Sequence, residues 1–244
     1  MVFRRAVLPL LLAASACGDD GSMPIDAAVD AVDAPPDVDN GTCGAQVRFT
    51  GEYVDWDTQT SFCGIFNATI TVAGGGASDT TAPNGRFDLC VPDAPTTRLD
   101  VTQPTAASEC TQQPSTYTIP TLFIADKAVI EAGGMFSGRA FTVDRRDPFF
   151  TDVVGEAFDP AKAQVFVHID GAARTLSLDA ARAPAQLVTG TTWAAGETGT
   201  DVFFPNVDVG GGTTMLSASG GTTIGAGSIP LVAGTITNVT LRAP

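Results

Sequence analysis

Residues 84–92 have the sequence Asn-Gly-Arg-Phe-Asp-Leu-Cys-Val-Pro, and this stretch gives the clearest indication of the fold. Its Asn-Gly pair is a strong signal for a tight turn between two strands. After the turn, Phe87, Leu89 and Val91 alternate with other residues, which is the period of a strand with one buried face. We therefore predict a half-buried antiparallel strand here.

The same two-residue period recurs along the first half of the chain. It occurs in residues 47–53, 66–72 and 98–101, and each of these runs is short and rich in β-branched or aromatic side chains. Turn-forming residues separate the runs, among them three consecutive glycines at 74–76. Short alternating strands with frequent turns are typical of an antiparallel β-sandwich, so we predict an all-β protein.

These strands resemble the carboxypeptidase regulatory-like domain, a transthyretin-like β-sandwich. The family pattern occurs here as Gly-Glu-Tyr-Val-Asp at residues 51–55, as Ala-Thr-Ile-Thr-Val at residues 68–72, and as the stretch at residues 84–92. Two parts of the pattern are missing: no acid precedes the turn at residues 80–83, and no Gly-Tyr pair closes the fourth strand. The resemblance implies a β-sandwich at residues 43–124 with no catalytic residues of its own.

A weaker echo of the pattern occurs in the second half of the chain. Residues 155–159 resemble residues 51–55, and two later runs resemble the second and fourth strands. We therefore predict a second antiparallel β-sandwich at residues 134–244, in tandem with the first, and a short helix at residues 125–132 between them. Two alternatives are open: the second sandwich starts with a strand at residues 136–141, or the whole body is one large sandwich.

The N-terminal residues have the layout of an export signal. Two arginines precede nine apolar residues, 6–14, which are too few to cross a bilayer, since that takes about 20. Small residues then precede Cys17, and the segment resembles a bacterial lipobox, although Ala14 replaces the usual Leu. The resemblance implies that a signal peptide of residues 1–16 is removed and that Cys17 is acylated, palmitate being a typical chain. The alternative is an ordinary signal peptide followed by a chance cysteine.

Residues 17–42 predict a lipidated, acidic and disordered tether. They contain seven Asp and three Pro but no aromatic residue, so charge repulsion and proline favour an extended chain. Its coil would span on the order of 25–30 Å. Gly18 occupies the position where Asp would resemble an inner-membrane retention signal. We therefore predict attachment to the outer membrane, with the body in the periplasm or on the cell surface.

The charge of the chain excludes one class of partner. The formal net charge is -14, and removal of Arg4 and Arg5 with the signal peptide makes it -16. Nucleic-acid affinity comes largely from Lys and Arg that neutralise phosphates, so we predict no nucleic-acid partner. The predicted partners are the lipid bilayer, through Cys17, and a protein or glycan ligand that the sequence does not identify.

Besides Cys17 the sequence has four cysteines, Cys43, Cys63, Cys90 and Cys110. An even number in an exported domain predicts two disulfides, for which three pairings are open. The transthyretin-like topology implies one of them, Cys43–Cys90 with Cys63–Cys110, because it pairs the first strand with the strand at residues 84–92. The spacing of these cysteines does not match a redox or zinc motif.

The sequence contains no recognisable catalytic, metal or cofactor site. His168 is the only histidine, and it lies in an alternating strand pattern, which favours a structural or surface role. No nucleophile elbow, Walker loop or dinucleotide fingerprint is present. Asp55 and Asp57 are a close pair of acids of the kind that glycoside hydrolases use, but such pairs are common by chance. We predict a non-enzymatic protein with no cofactor and no metal.

Two tryptophans are the candidate ligand-binding residues. Trp56 and Trp193 both fall in predicted loops, where sugar-binding β-sandwiches often stack pyranose rings. The alternative is that each closes the open end of a sandwich, since Trp buries a large apolar area. The predicted function is that of a membrane-anchored lipoprotein displaying β-sandwich interaction modules. Carbohydrate binding and a hydrolase with an unrecognised site are the alternatives.

Overall fold

The computed structural model describes residues 43–55, 64–104, 120–189, 192–219 and 227–243. All of them belong to one compact unit, residues 40–244. Strands dominate this unit, so the predicted all-β class is confirmed. Within the described ranges, no helix combines the length and the apolar character needed to cross a membrane. The predicted signal peptide, Cys17 and the tether lie outside the described residues.

Sixteen strands and three short helical segments make up the regular structure of the described ranges. The strands are β1 (Val47–Asp55), β2 (Thr69–Val72), β3 (Ser78–Thr80), β4 (Arg86–Val91), β5 (Thr96–Thr102), β6 (Thr121–Asp126), β7 (Phe136–Ala140), β8 (Ala163–Gly171), β9 (Arg174–Leu178), β10 (Gln186–Thr189), β11 (Thr192–Ala195), β12 (Thr198–Gly199), β13 (Asp201–Val207), β14 (Thr213–Ala218), β15 (Ser228–Pro230) and β16 (Ile236–Ala243). The helices are α1 (Lys127–Glu131), α2 (Val143–Phe149) and a π-helical segment (Phe150–Val154) that continues α2.

Nine of the strands form one long sheet, which we call the common sheet. Its strand order is β11-β10-β13-β8-β16-β6-β5-β2-β3. Most neighbouring strands are antiparallel, but β16 runs parallel to both β6 and β8. Strand β6 belongs to the first half of the chain and β8 to the second. Ladders of backbone hydrogen bonds therefore join the two halves.

Side-chain alternation divides the common sheet into two faces, because successive residues of a strand point to opposite sides. Residues that are neighbours in the strand register share a face. On what we call the first face lie Phe123, Asn238, Phe166 and Phe203. On the second face lie Ile124, Val239, Val167 and Val202.

A three-stranded sheet, β4-β1-β7, covers the first face over the first half of the chain. Its side chains form one core with those of the common sheet, and the ring centroids of Phe136 and Phe123 lie 4.8 Å apart. Gly138 allows β7 to pack this closely on Phe123, because a Cβ atom at position 138 would lie 2.2 Å from the Phe123 ring. The second face of this half carries exposed polar residues such as Arg98 and Asp100.

The second half of the common sheet is covered on both faces. A four-stranded sheet, β12-β9-β14-β15, packs on the second face, where Val167 and Val202 belong to the core cluster. On the first face, α2 and the π-helical segment place Phe149 and Phe150 against Phe203. Side chains from three layers therefore enclose this end of the sheet.

The predicted arrangement of two tandem sandwich domains is not confirmed. The described strands of residues 43–124 and 134–244 contribute to one common sheet, and the hydrophobic clusters cross the predicted boundary, since Ile124 packs with the second half and Phe136 with the first. Strand β7 falls inside the second predicted domain, yet it pairs parallel with β1 of the first. Residues 155–159, expected to repeat the first strand, lie outside any strand, since Gly155 ends the π-helical segment with a left-handed conformation.

Candidate functional site

The structure confirms one of the two predicted disulfides. Cys43 and Cys90 are bonded, with 5.4 Å between their Cα atoms and a sequence separation of 47. The antiparallel register of β1 and β4 explains the pairing, because it places Cys90 opposite Arg48, near the start of β1. Cys63 and Cys110 lie outside the described residues, so the bond between them stays a prediction.

The only histidine of the sequence has a carboxylate partner. His168 in β8 and Asp201 in β13 are opposite each other in the register and lie on the first face of the common sheet. The Nδ1 atom of His168 is 2.8 Å from Oδ1 of Asp201, and the Thr200 hydroxyl donates to Oδ2 over 2.9 Å. An ionised carboxylate only accepts hydrogen bonds, so Nδ1 carries the proton and Nε2 of a neutral imidazole is an acceptor.

The charges around Asp201 determine its ionisation. Burial raises the pKa of this carboxyl, but the hydrogen bond and charge of His168, the Thr200 hydrogen bond and the charge of Arg139 together lower it below its usual value. Burial lowers the pKa of the Arg139 guanidinium, while the charges of Glu52 and Asp201 oppose that shift. Asp201 is therefore ionised at neutral pH, and Arg139 belongs to the same electrostatic cluster.

A buried asparagine holds Arg139 over the common sheet. The side chain of Asn238, in β16, accepts a hydrogen bond from the Arg139 backbone N–H over 2.9 Å and donates one to its carbonyl oxygen over 3.0 Å. These bonds tie β7 to the first face, close to His168. Sequence reasoning missed Asp201, Arg139 and Asn238, because no local motif marks them and only the strand register brings them together.

Trp193 lies on the same face as His168. The prediction that it lies in a loop is wrong, because the structure places it in β11, at one edge of the common sheet. Its ring centroid is 4.7 Å from that of Phe149 and 6.3 Å from that of Phe203, and the side chain is half-buried in this aromatic cluster. Trp56 lies outside the described residues.

The other polar candidates lie elsewhere in the body. Asp55 is buried at the end of β1, and Asp57 lies outside the described residues. An open depression of about 420 Å³ is lined by Asp179 and Asp208 next to Gly210 and Gly211. Over the part of the chain that the structure describes, no group of three or more His, Cys, Asp or Glu side chains is arranged to hold a metal ion.

Comparisons with known proteins do not assign this chain to a family. No family model and no curated protein match the sequence. The Bacillus anthracis TIE protein is 9% identical with a TM-score of 0.25, and the match covers 81% of this chain but only 34%, about a third, of that chain. A mutant of the shaft pilin spaA from Lactobacillus rhamnosus GG is 9% identical with a TM-score of 0.24, and the match covers 82% of this chain and 98% of that chain. At these TM-scores, neither structural match indicates the fold or the function of this chain.

Proposed function

We propose that this chain is a membrane-anchored, non-enzymatic lipoprotein that displays its β-sheet body as an interaction module. Acylated Cys17 holds the chain in the outer membrane, and residues 18–42 are the spacer between the membrane and the body. In this proposal the first half of the body is a carboxypeptidase regulatory-like sandwich. The second half is a further sandwich built on the same sheet.

The observation that carries the proposal is the Cys43–Cys90 disulfide. Cys43 directly follows the proposed spacer, and it is bonded to β4, the strand next to β1. A mechanical force on the spacer is therefore transmitted through the disulfide to both β1 and β4, and does not act on β1 alone. Such a cross-link suits a body that is held to a membrane at its N-terminal end while it contacts a partner. It also suits an oxidising compartment outside the cytosol.

The common sheet also supports the proposal that the body is an interaction module. Strand β16 pairs with β6 over five register positions and with β8 over eight, so backbone hydrogen bonds join the two halves. Loops on a scaffold joined in this way keep fixed positions relative to one another, as binding loops on rigid sheets do. A body of this kind can present one defined surface to a ligand.

Replacement of Cys17 tests the anchor. We expect a Cys17→Ser variant to leave the membrane fraction, because stable anchoring needs two or more acyl chains and the variant has no thiol to acylate. Cys110→Ser is the matched control, since it also removes one cysteine but leaves the lipobox intact, and it should stay with the membrane. Retention of the Cys17→Ser variant in the membrane would overturn the proposal.

The non-enzymatic part of the proposal needs a separate test, because a His–Asp pair is the arrangement that orients a general base in many hydrolases. We expect the purified full chain to leave glycosidase, esterase and peptidase substrates unchanged. Turnover that is abolished in a His168→Ala variant and preserved in an Asp100→Asn variant would contradict the proposal.

A further inference from the structure

We infer that Trp193, Asp201 and His168 form a binding patch for a neutral saccharide on the first face of the common sheet; we call these three residues the saccharide patch. The inference rests on the proposed function, since it names the ligand class that the displayed body contacts. It follows from the register of four adjacent strands, from the chemistry of the three side chains and from the charge of the chain.

The strand register places the three residues in one row across the sheet. Trp193 is paired with Val188. The register of β10 with β13 ends at Leu187 and Val202, so Val188 and Asp201 are the next positions on these two strands and share the first face. Asp201 is in turn paired with His168. Because adjacent strands lie about 4.8 Å apart, Trp193 is about 10 Å from Asp201 and about 14 Å from His168 along the row. This length suits a short oligosaccharide laid across the strands.

The polar end of the patch is held in place and remains accessible. The side chains of His168 and Asp201 are 28% and 25% exposed, so each keeps part of its polar surface for a ligand. Their mutual hydrogen bond and the one from Thr200 fix both rotamers. Each carboxylate oxygen still has acceptor capacity, and Nε2 of an uncharged imidazole is an acceptor as well. Fixed acceptors of this kind suit the hydroxyl groups of a sugar.

The apolar end of the patch is the indole of Trp193. Phe149 and Phe203 brace this ring through edge-to-face contacts, so it has a defined position, and part of it stays exposed. Aromatic rings bury apolar area and also offer a polar edge, which makes Trp suited to ligands with one apolar and one hydrated side. A pyranose ring has a C–H face of this type.

Charge favours a neutral sugar over an anionic ligand. The formal net charge of the chain is -14, and the patch contains the ionised carboxylate of Asp201, which interacts with the charge of the nearby Arg139. An anion at this position would be repelled by the Asp201 carboxylate. A purely apolar ligand would desolvate Asp201 without replacing its lost hydrogen bonds with water. A neutral polyol avoids both costs.

The test is binding of the full acylated chain, in detergent micelles, to an array of neutral oligosaccharides, followed by titration calorimetry with the best one. We expect Asp201→Asn, His168→Ala and Trp193→Phe each to weaken binding about tenfold or more. Asp100→Asn is the matched control, because Asp100 is an exposed acid of the same sheet on its second face, and it should leave the affinity within about twofold.

Two results would overturn the inference: no neutral oligosaccharide binds the native chain, or one binds with the same affinity after Asp201→Asn and His168→Ala. Circular dichroism of each variant shows whether it is folded. The Cys17→Ser chain separates this inference from the proposed function. If the anchor alone is wrong, saccharide binding is kept while membrane attachment fails to depend on Cys17. If the patch alone is wrong, membrane attachment depends on Cys17, but saccharide binding is absent or unaffected by the patch variants.

Discussion

The two ends of the common sheet are stabilised in different ways. In the first half, the β4-β1-β7 sheet covers one face, the other face carries exposed polar residues, and Cys43–Cys90 adds a cross-link. In the second half both faces are covered, and the sequence has no cysteine after Cys110. The difference indicates that the disulfide adds stability to the first half, where only one face of the sheet is buried. The second half is stabilised by apolar burial on both faces and needs no disulfide.

The strand sequences reflect this difference. Strand β4 alternates strictly, with Phe87, Leu89 and Val91 buried and its other residues exposed or half-buried. Strand β13 does not alternate, because residues 202–207 are all buried, and β8 is buried from residue 163 to residue 167. A continuous buried run is typical of a strand that is covered on both faces. The comparison can be tested by removing one element of each half in turn.

The largest effect is expected in the second half, from Phe203→Ala. Phe203 is fully buried on the first face, where its ring contacts those of Phe141, Phe149 and Phe150. We expect the free energy of unfolding to fall by about 3–5 kcal/mol, because the truncation leaves a cavity between the sheet and α2. Denaturant unfolding followed by circular dichroism measures it.

Met215→Ala is the control for this change, since Met215 is 46% exposed on β14. It should cost less than about 1 kcal/mol, because little buried area is lost. A loss for Phe203→Ala as small as that of the control would show that the helical cover of the first face contributes nothing to the stability of this half.

In the first half, removal of the disulfide should have the next largest effect. The double variant Cys43→Ala, Cys90→Ala opens a loop whose ends are 47 positions apart. The chain-entropy model gives about 4 kcal/mol for such a loop, and measured values are commonly about 2–4 kcal/mol. Chemical unfolding of the native and the double variant, both in the absence of reductant, gives the difference. A change below about 1 kcal/mol would contradict the role that the comparison assigns to the cross-link.

The contact between the halves is tested by Asn238→Ala. Asn238 is fully buried, and its side chain satisfies both backbone groups of Arg139. The variant leaves an N–H and a carbonyl of β7 without these partners, so we expect a loss of about 2 kcal/mol in unfolding free energy. Thr71→Ala, on the half-buried second face, is the control and should change it by less than about 0.5 kcal/mol. Equal effects of the two changes would mean that β7 does not depend on this contact.

The local elements of the first half could be predicted from the sequence, but the pairing between the halves could not. Alternation and turn residues predict β1, β2, β4 and β5, and the helix predicted at residues 125–132 is confirmed as α1. Period-two alternation says which face of a strand is buried but not which strand lies beside it. The parallel ladder between β6 and β16 joins residues 115 positions apart, such as Thr121 and Ile236, and no local pattern encodes it.

The same limit applies to the candidate site. In the sequence, His168 and Trp193 are two separate candidates, each with a structural alternative. Their common face, and the position of Asp201 between them, depend on the order of β11, β10, β13 and β8 in the common sheet. Helix α2, whose Phe149 braces Trp193, was missed because its sequence includes Pro148 and lacks an apolar stripe of helical period.

The smallest effect is expected from Asp201→Asn, and it should depend on pH. The pKa of Asp201 is lowered in the folded protein, so its ionised form stabilises the fold above the unfolded pKa of about 3.9. At pH 7 the variant should be less stable by about 1 kcal/mol, since the hydrogen bond involves a charged but partly exposed group. The difference should shrink as the pH falls from about 4 through the lowered folded-state pKa, because the unfolded chain binds a proton first and the stabilisation is lost once the native carboxyl is protonated as well. Thermal unfolding at pH 7 and pH 3, together with a double-mutant cycle with His168→Ala, measures both the pH effect and the coupling of the pair. A difference that stays constant between these pH values, or a coupling energy of zero, would mean that the Asp201–His168 contact does not stabilise the second half.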